Sequence, residues 1–399
     1  LNNRLNDNVL DISDVGLVII DEAHYNSFTK LFKFFEKSFI LGVTATPLSS
    51  NKELPMKDNY NELITGETIE NLIENEFLAR PEVFQYDMGL TSLEVGSNGD
   101  YTVKSSEDLY SSPAMLQKLI DAYKKHGLGK KTLIFNNGIN TSINVYYAFR
   151  EAGIQIMHLD NTATKKQRKQ ILDWFHETPN AILTSVSILT TGFDEPTIDT
   201  IILNRATKSL TLYYQMIGRG SRILNNKSKF TVVDLGNNAY RFGPWGADLD
   251  WQLIFKSPNW YADRIVSDDK IEANFKHDLH EDIKDEFSKS ENTYFDIRVT
   301  YKDAVANGES SKVVLERSLE QHAKICIKNS EDVYDAIALA KLLKDDINQR
   351  IEVYAECISK STYNFLKWLK DDYQKKLNSY IRANFNKVFE DIHGYPPED

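Results

Sequence analysis

Short apolar runs that stop abruptly at polar residues recur along the chain. The run at 18–20 ends in Asp21 and Glu22, and the run at 41–43 ends in Thr44. An apolar run of this length that ends in polar residues is typical of a buried parallel strand whose carboxyl end opens onto a functional site. The pattern therefore predicts two parallel strands with polar side chains gathered at one edge of a sheet.

The middle of the chain alternates between strand and helix patterns. Strands are predicted at 131–137, 154–159, 181–185 and 230–236, with helical spacing between them. This alternation is typical of a second parallel sheet covered by helices. Helical apolar spacing alone continues at 313–325, 331–344, 347–358 and 363–389. We therefore predict an α/β fold with two parallel-sheet domains, followed by an α-helical C-terminal domain.

These patterns divide the chain into four predicted segments. Residues 1–80 form the C-terminal part of a first α/β domain, and residues 116–258 form the second. Residues 81–115 form a linker or insertion between them, because the stretch at 89–112 is rich in Ser, Gly, Asn and Asp. Residues 259–399 form a helical accessory domain.

Composition describes an ordinary globular protein. The 399 residues are enough for two or three domains, and 41% are hydrophobic while 26% are charged. No apolar run approaches about eighteen residues, the first residues do not form a signal peptide, and the two cysteines have neither disulfide nor zinc spacing. These features predict a cytoplasmic protein without a membrane segment. The net charge of -11 argues against indiscriminate nucleic-acid binding but allows a local basic groove.

The acidic pair at the end of the first strand is suited to phosphoryl transfer. Asp21 is a candidate ligand for Mg²⁺, directly or through water. Glu22 is a candidate base that orients and deprotonates an attacking water. The alternative is a solvated turn or the first turn of a helix, where carboxylates complement the helix dipole.

A second candidate group lies almost two hundred residues later. Gln215, Arg219 and Arg222 are spaced four and three apart, so on a helix they share one face. Two guanidinium groups on that face are suited to reach a γ-phosphate across a cleft. The alternative is a surface helix that happens to carry two arginines.

Hydroxyl-bearing residues follow the strand at 181–185. Hydroxyls and exposed amides at a strand end can hold a nucleic-acid phosphate, and Gly192 lets the backbone come close. Asp194 is suited to accept from a ribose hydroxyl or to order the cleft between domains. A plain glycine-containing turn is the alternative.

Taken together, these motifs resemble those of superfamily 2 helicases and translocases. Asp21-Glu22-Ala23-His24 resembles their Walker B (DExH or DEAH box) motif, and Thr44-Ala45-Thr46 resembles their motif III. The stretches at 131–137, 185–196 and 213–222 resemble motifs IV, V and VI. The sequences at 189–196 and 215–222 are similar to those of the DNA-directed branch of the family. That branch includes restriction-enzyme motor subunits and helicases of the XPB and UvsW types.

The resemblance implies two RecA-like domains, the first incomplete, with ATP and Mg²⁺ between them. It implies that Asp21, Glu22, Arg219 and Arg222 carry ATP hydrolysis, and that Gln215 pairs with His24 near the cleft. The nucleic acid, expected to be duplex or branched DNA, would run across both domains. The implied nucleic-acid contacts are Thr44, Thr46, Asn136, Asn137, Ser185, Thr190, Thr191 and Lys208.

One family motif is missing from the sequence. No Gly-x-x-x-x-Gly-Lys-Ser/Thr loop, which would cradle the phosphates, occurs in the 399 residues. In this family the loop lies upstream of the acidic motif, so we expect either a fragment or a protein that has lost its grip on nucleotide. The complete protein is then an ATP-dependent helicase, and this chain alone turns over little ATP.

Two other functions stay open from the sequence. The missing loop allows a non-catalytic module that binds nucleic acid or protein on a helicase scaffold. The third possibility is the motor part of a restriction complex, with the helical tail docked onto partner subunits. The last helix is a candidate duplex or protein contact, or simply an amphipathic helix, and its basic and aromatic residues are Lys367, Lys370, Lys375, Lys376, Arg382, Lys387, Trp368, Tyr373 and Tyr380.

Overall fold

The computed structural model describes residues 11–25, 28–49, 54–186, 189, 193–273, 279, 281–290, 293–358 and 363–394. Its first unit is a pair of parallel strands, β1 (Leu17–Asp21) and β2 (Phe39–Val43). A 3-10 turn at Ala23–Tyr25 and the short helix α1 (Thr29–Phe32) connect them. Alternate side chains of β1 point to opposite faces, and Ile20 lies on the face that packs against Met56 and Phe255.

The second unit is a six-stranded sheet in which every pairing is parallel. The strand order is β3-β8-β7-β4-β6-β5. Its central strands are buried on both faces, as their continuous apolar runs predict. The strands are β3 (Arg80–Gln85), β4 (Thr132–Asn136), β5 (Met157–Leu159), β6 (Ile182–Ser185), β7 (Thr200–Asn204) and β8 (Lys229–Asp234).

Helices cover both faces of this sheet, and their starts follow local capping rules. Ser112 accepts from the Met115 amide at one helix start, and Thr164 forms a reciprocal capping box with Gln167 at another. The helices up to the end of the second unit are α2 (Ile69–Glu74), α3 (Val103–Tyr110), α4 (Pro113–His126), α5 (Ile139–Glu151), α6 (Lys165–Glu177), α7 (Leu210–Gly218), α8 (Asn238–Phe242), α9 (Trp251–Lys256) and α10 (Pro258–Ala262).

The segment expected to link the two domains contributes directly to the second one. Its first residues form β3, which pairs with β8 at the edge of the six-stranded sheet. The stretch at 89–112, expected to be a loop, contains α3. Thr102 caps that helix by accepting from the Ser105 amide, a local signal that the polar composition of the stretch obscured.

The C-terminal part of the chain is helical, as predicted. Its core is built from buried residues of the long helices, among them Val314, Ile351 and Leu377. Helix α13 was not anticipated from the sequence. The helices are α11 (Asp268–Ala273), α12 (Glu281–Lys284), α13 (Ile297–Ala306), α14 (Lys312–Lys328), α15 (Val333–Leu342), α16 (Lys344–Ile358) and α17 (Tyr363–His393).

A buried ionic cluster fastens the helical part to the second sheet unit. Glu356 of α16 accepts from the Gly89 amide at 2.9 Å and from Lys118 Nζ at 3.0 Å. Arg298 of α13 lies 3.1 Å from both Glu356 and Asp87. The predicted fold class is therefore confirmed, with two parallel sheets flanked by helices and a helical C-terminal region.

Candidate functional site

The acidic pair lies where β1 gives way to an irregular turn. Asp21 is exposed, and its Oδ1 accepts from the Glu22 amide at 2.9 Å. Glu22 has a left-handed backbone with φ of 51°. A non-glycine residue in this region costs about 1–3 kcal/mol, a cost often found at functional sites.

His24 is buried two residues later and links three parts of the chain. Its Nδ1 lies 2.9 Å from Thr44 Oγ1 and 3.3 Å from Glu22 Oε2. Its Nε2 lies 3.3 Å from Gln215 Nε2, which brings the two residues together as the resemblance implied. Burial lowers the pKa of His24 to about 4, so the imidazole is neutral near pH 7.

This arrangement defines the direction of the hydrogen bonds. The Gln215 amide donates to His24 Nε2, so the remaining proton lies on Nδ1 and is donated to Thr44 Oγ1. Thr44 Oγ1 in turn donates to the carbonyl of Thr46 at 3.1 Å. A chain of hydrogen bonds therefore runs from the second sheet unit through His24 to the end of β2.

Glu22 and Arg219 act on each other across the cleft between the two units. Burial and the neighbouring Asp21 charge raise the pKa of Glu22, while the Arg219 guanidinium lowers it. Burial lowers the pKa of Arg219, and Glu22 opposes that shift. Arg219 Nη1 also donates to the Phe193 carbonyl. Arg219 thus lies on the wall of the cleft opposite Glu22, and its charge lowers the pKa of Glu22.

The prediction that Gln215, Arg219 and Arg222 share a helix face is wrong. Helix α7 ends at Gly218, so Arg219 and Arg222 lie in the turn that follows it. Arg222 forms an isolated antiparallel bridge with Leu78, and its Nε donates to exposed Asp194 at 3.0 Å. The two arginines still border the same cleft as Gln215, but the turn positions them rather than a helix.

That cleft has a volume of about 810 Å³, within the range of small-molecule sites. Glu22 and the end of β2 line one side. Gln215, Arg219, Arg222 and Asp194 line the other. A segment beyond β8 closes it, with Trp251 among its lining residues.

The structure does not support direct nucleic-acid contacts from several candidate residues. Asn136 is fully buried and donates to Thr184 Oγ1 at 2.8 Å, while Asn204 donates to its Oδ1. Ser185 is fully buried and donates to the Leu159 carbonyl. Thr46 is also fully buried. Asn136 and Ser185 therefore bond to neighbouring strands within the protein instead of facing solvent, while the Thr46 hydroxyl is buried without a hydrogen-bond partner among the described residues.

Other candidates have partners elsewhere in the chain. Asn137 is half-buried and donates to Ser106 Oγ at 2.6 Å. Lys208 forms an ion pair with Asp268 of α11, with 3.3 Å between Nζ and Oδ2. The predicted contacts at Thr190, Thr191 and Gly192 lie outside the described residues.

The last helix presents only part of its predicted surface. Tyr373 is buried and hydrogen-bonded to Ser318 and His322, so it belongs to the core of the helical domain. Trp368 is exposed, and its ring lies 5.9 Å from that of exposed Phe365.

The sequence analysis missed a segment that joins the two units. Helix α9 follows the second unit, yet Phe255 within it packs into the small core of the first unit. Gln252 donates to the Leu63 carbonyl at 2.8 Å. The nearby aromatic residues Trp245 and Trp251 contact the second unit instead, since Trp245 donates to the Tyr214 carbonyl and the Trp251 ring lies edge-on to that of Tyr214. No local pattern distinguishes Phe255 from these.

A magnesium ion fits the acidic end of β1. Among the described residues there is no cluster of three or more His, Cys, Asp or Glu side chains. Mg²⁺ does not need one, because it commonly binds through one or two carboxylates while keeping several waters. Asp21, exposed at the strand end, offers such a carboxylate.

Among the residues that the structure describes, no helix combines the length and apolarity needed to span a bilayer.

Comparison with known proteins finds similarity to helicases. Residues 112–224 match the model of the helicase conserved C-terminal domain. The "51.5 kDa protein" of a Lactococcus phage is 30% identical over 247 residues, covering 60% of this chain and 53% of that protein. "Putative ATP-dependent helicase IRC3" of Saccharomyces cerevisiae is 25% identical over 237 residues, covering 56% of this chain and 34% of that protein.

A third relative comes from a restriction system. "Type I restriction enzyme EcoAI endonuclease subunit" of Escherichia coli is 24% identical over 305 residues, covering 66% of this chain and 37% of that protein. The chain thus spans between about a third and about half of the length of these relatives. Residues 112–224 thus match a helicase C-terminal domain, and the chain is similar to ATP-dependent helicases and to a restriction-enzyme subunit.

Proposed function

We propose that this chain is part of an ATP-dependent helicase or translocase that hydrolyses ATP in the cleft between its two parallel-sheet units. The observation that carries the proposal is that Glu22 and Arg219, from different units, line the same cleft, and that the charge of each shifts the pKa of the other. A base on one wall and a guanidinium on the other is the arrangement that phosphoryl transfer to water requires. A scaffold that only binds other molecules has no need of it.

Glu22 has the role of base in this proposal. Burial and Asp21 raise its pKa, which strengthens it as a proton acceptor, while Arg219 keeps it ionised. Glu22 orients the attacking water and takes its proton. Asp21 would hold Mg²⁺, which would supply positive charge against the developing phosphate charge.

The two arginines stabilise the negative charge that develops on the transferred phosphoryl group. Both arginines line the cleft, where Arg219 donates to the Phe193 carbonyl and Arg222 pairs with Asp194. Because they belong to the second unit and Glu22 belongs to the first, hydrolysis depends on closure of the cleft. The His24–Gln215 hydrogen bond reports the same closure, since it exists only when both walls meet.

Nucleic acid is the proposed track, and DNA is preferred on the resemblance to the DNA-directed branch. The inward-facing Asn136 and Ser185 leave the nucleic acid to other groups. If the contacts are mainly to the phosphate backbone, binding is independent of sequence and weakens steeply with salt. A titration of fluorescent duplex DNA and of RNA at two salt concentrations tests both points.

The motor part of a restriction complex is a second candidate. The alignment with the EcoAI subunit supports it, because it covers 66% of this chain. Exposed Phe365 and Trp368 on α17 are then candidate contacts for a partner subunit. Size-exclusion chromatography with co-expressed gene neighbours, comparing wild type with Trp368→Ala, tests this candidate.

The experiment for the main proposal is ATPase activity of the complete protein with and without nucleic acid. Glu22→Gln is expected to lower the stimulated rate by about 10²-fold or more, because it removes the base. Glu36→Gln is the matched control, since Glu36 is an exposed carboxylate outside the cleft. Equal, measurable rates for wild type and Glu22→Gln would remove Glu22 from the mechanism, and no stimulated activity in wild type would favour the non-catalytic module instead.

A further inference from the structure

The turn that carries the two arginines is tied down by one buried lysine. Lys227 is 5% exposed, and its Nζ donates to the Gly220 carbonyl at 2.7 Å. The same Nζ donates to the Pro196 carbonyl at 2.9 Å. Gly220 lies between Arg219 and the segment leading to Arg222, so a single ammonium group joins the arginine turn to the segment that follows Asp194.

Packing leaves this turn little freedom on its other side. A Cβ at Gly220 would lie 2.3 Å from a ring carbon of Phe230 and 3.1 Å from Ile201, so the turn is pressed against the sheet. Lys227 itself is fixed by two backbone hydrogen bonds with Leu224, of 2.9 and 3.1 Å. The lysine and the sheet therefore hold Gly220 from two directions.

We propose that Lys227 is a positioning residue for ATP hydrolysis, and that its ammonium group sets where Arg219 and Arg222 meet the cleft. The inference rests on the proposed function. Beyond Gly218, the Arg219, Gly220 and Ser221 amides donate to carbonyls in the last turn of α7, at 3.3, 2.9 and 3.3 Å, which ties the turn to the helix end. The two lysine contacts add a constraint towards the segment at Pro196. A plain structural role, in which Lys227 stabilises the fold and nothing more, is the competing explanation.

The charges around Lys227 support a contact that responds to pH. Burial lowers its pKa to about 8, while Asp199 and Glu195 oppose that shift. Glu195 is itself engaged by His176, Thr197 and the charge of Lys131. Protonated Lys227 makes charge-assisted hydrogen bonds, which are roughly twice as strong as neutral ones. Loss of the proton therefore loosens the turn.

The test is nucleic-acid-stimulated ATPase of the complete protein carrying Lys227→Met. We expect kcat to fall by about tenfold or more, because misplaced arginines stabilise the transition state poorly. Lys229→Met is the matched control, since Lys229 is 62% exposed and pairs with Glu82 on the surface. Its kcat is expected to stay within about twofold of wild type.

Combining substitutions separates positioning from stability. If Lys227 acts through Arg219, Lys227→Met adds less than about a twofold loss when Arg219 is already alanine. A merely structural role instead gives the same loss in both backgrounds and overturns the proposal. If Glu22→Gln matches wild type, the proposed function fails. If Glu22→Gln is inactive while Lys227→Met stays within about twofold of wild type, only the lysine inference fails.

A second measurement keeps the proposal testable if Lys227→Met does not fold. In wild type, kcat is expected to fall by about two- to threefold as pH rises through about 8 and Lys227 loses its proton. Lys227→Arg stays charged throughout and should lack this fall. The same alkaline fall in both proteins would overturn the proposal.

Discussion

His24 and Gln215 meet at 3.3 Å between their Nε2 atoms, although 191 positions separate them in the chain. One belongs to the first parallel-sheet unit and the other to helix α7 of the second. Because the His24 imidazole is neutral, the contact is a hydrogen bond without charge, and it also joins Thr44 at the end of β2. Nucleic-acid binding that draws the units together would strengthen this contact.

Gln215→Ala should therefore reduce stimulation more than basal turnover. A neutral hydrogen bond contributes about 1 kcal/mol, so we expect roughly a fivefold loss of the nucleic-acid-stimulated rate. The measurement is ATPase of the complete protein across a DNA titration. Gln117→Ala is the control, because Gln117 is exposed and donates to Asp121 within its own helix. Equal losses of basal and stimulated rates would exclude a role in coupling.

The sequence predicted strands at the positions of β1, β2, β4, β5, β6 and β8, but not at β3 or β7. The apolar run of β1 forms a strand as predicted, but not a buried one, because Leu17 and Ile19 are largely exposed and only Ile20 is buried. The proximity of His24 to Gln215 came from the motif resemblance. The sequence around His24 or around Gln215 does not by itself specify a contact between two residues that are 191 positions apart.

The geometry of the turn that carries Arg219 and Arg222, and the direction of several polar side chains, could not be predicted from the sequence. Helix α7 ends at Gly218, and Gly220 just beyond it lies so close to Phe230 and Ile201, which are distant in sequence, that a Cβ there would clash. Asn136 carries the same polar groups whether it faces solvent or its neighbours. Only the sheet order, with β4 between β6 and β7, places Thr184 and Asn204 within its reach.

The acid limb of the pH profile should report Glu22. Burial and Asp21 raise its pKa above the ordinary value of 4.5, so kcat/KM falls as pH drops and the carboxylate becomes protonated. Arg219 lowers that pKa, so Arg219→Gln should move the acid limb to higher pH in addition to slowing the reaction. Arg222→Gln should leave the acid limb at the same pH, since the Glu22 pKa is set by burial, Asp21 and Arg219. A limb that stays fixed in Arg219→Gln would show that another group controls it.

Protonation of buried His322 should destabilise the helical domain in mild acid. His322 is fully buried between Asp346 and Tyr373, at 2.6 and 2.9 Å, and burial lowers its pKa to about 4. A depressed folded pKa contributes stability above the unfolded value of about 6.5, and this contribution is lost as pH falls towards 4. The shift corresponds to at most about 3 kcal/mol.

Thermal unfolding between pH 7.5 and 4.5 tests this linkage. The melting temperature of His322→Gln should depend less steeply on pH than that of wild type, although the variant starts from a lower stability because its hydrogen bonds are imperfect. His176→Gln serves as control, because the His176 side chain is 71% exposed. Parallel slopes for wild type and His322→Gln would show that acid sensitivity originates elsewhere.

The 399-residue chain by itself should hydrolyse little ATP, even though Glu22 and Arg219 face each other within it. Catalysis of phosphoryl transfer depends mostly on holding the phosphates in line with the attacking water. That grip comes from backbone amides and a lysine of a Gly-x-x-x-x-Gly-Lys-Ser/Thr loop, which does not occur in these 399 residues. The measurement is phosphate release by this chain and by its Glu22→Gln variant, because contaminating ATPase would contribute equally to both. A rapid rate that disappears in the variant would mean that other residues hold the phosphates, and the arginine turn would be the first place to look.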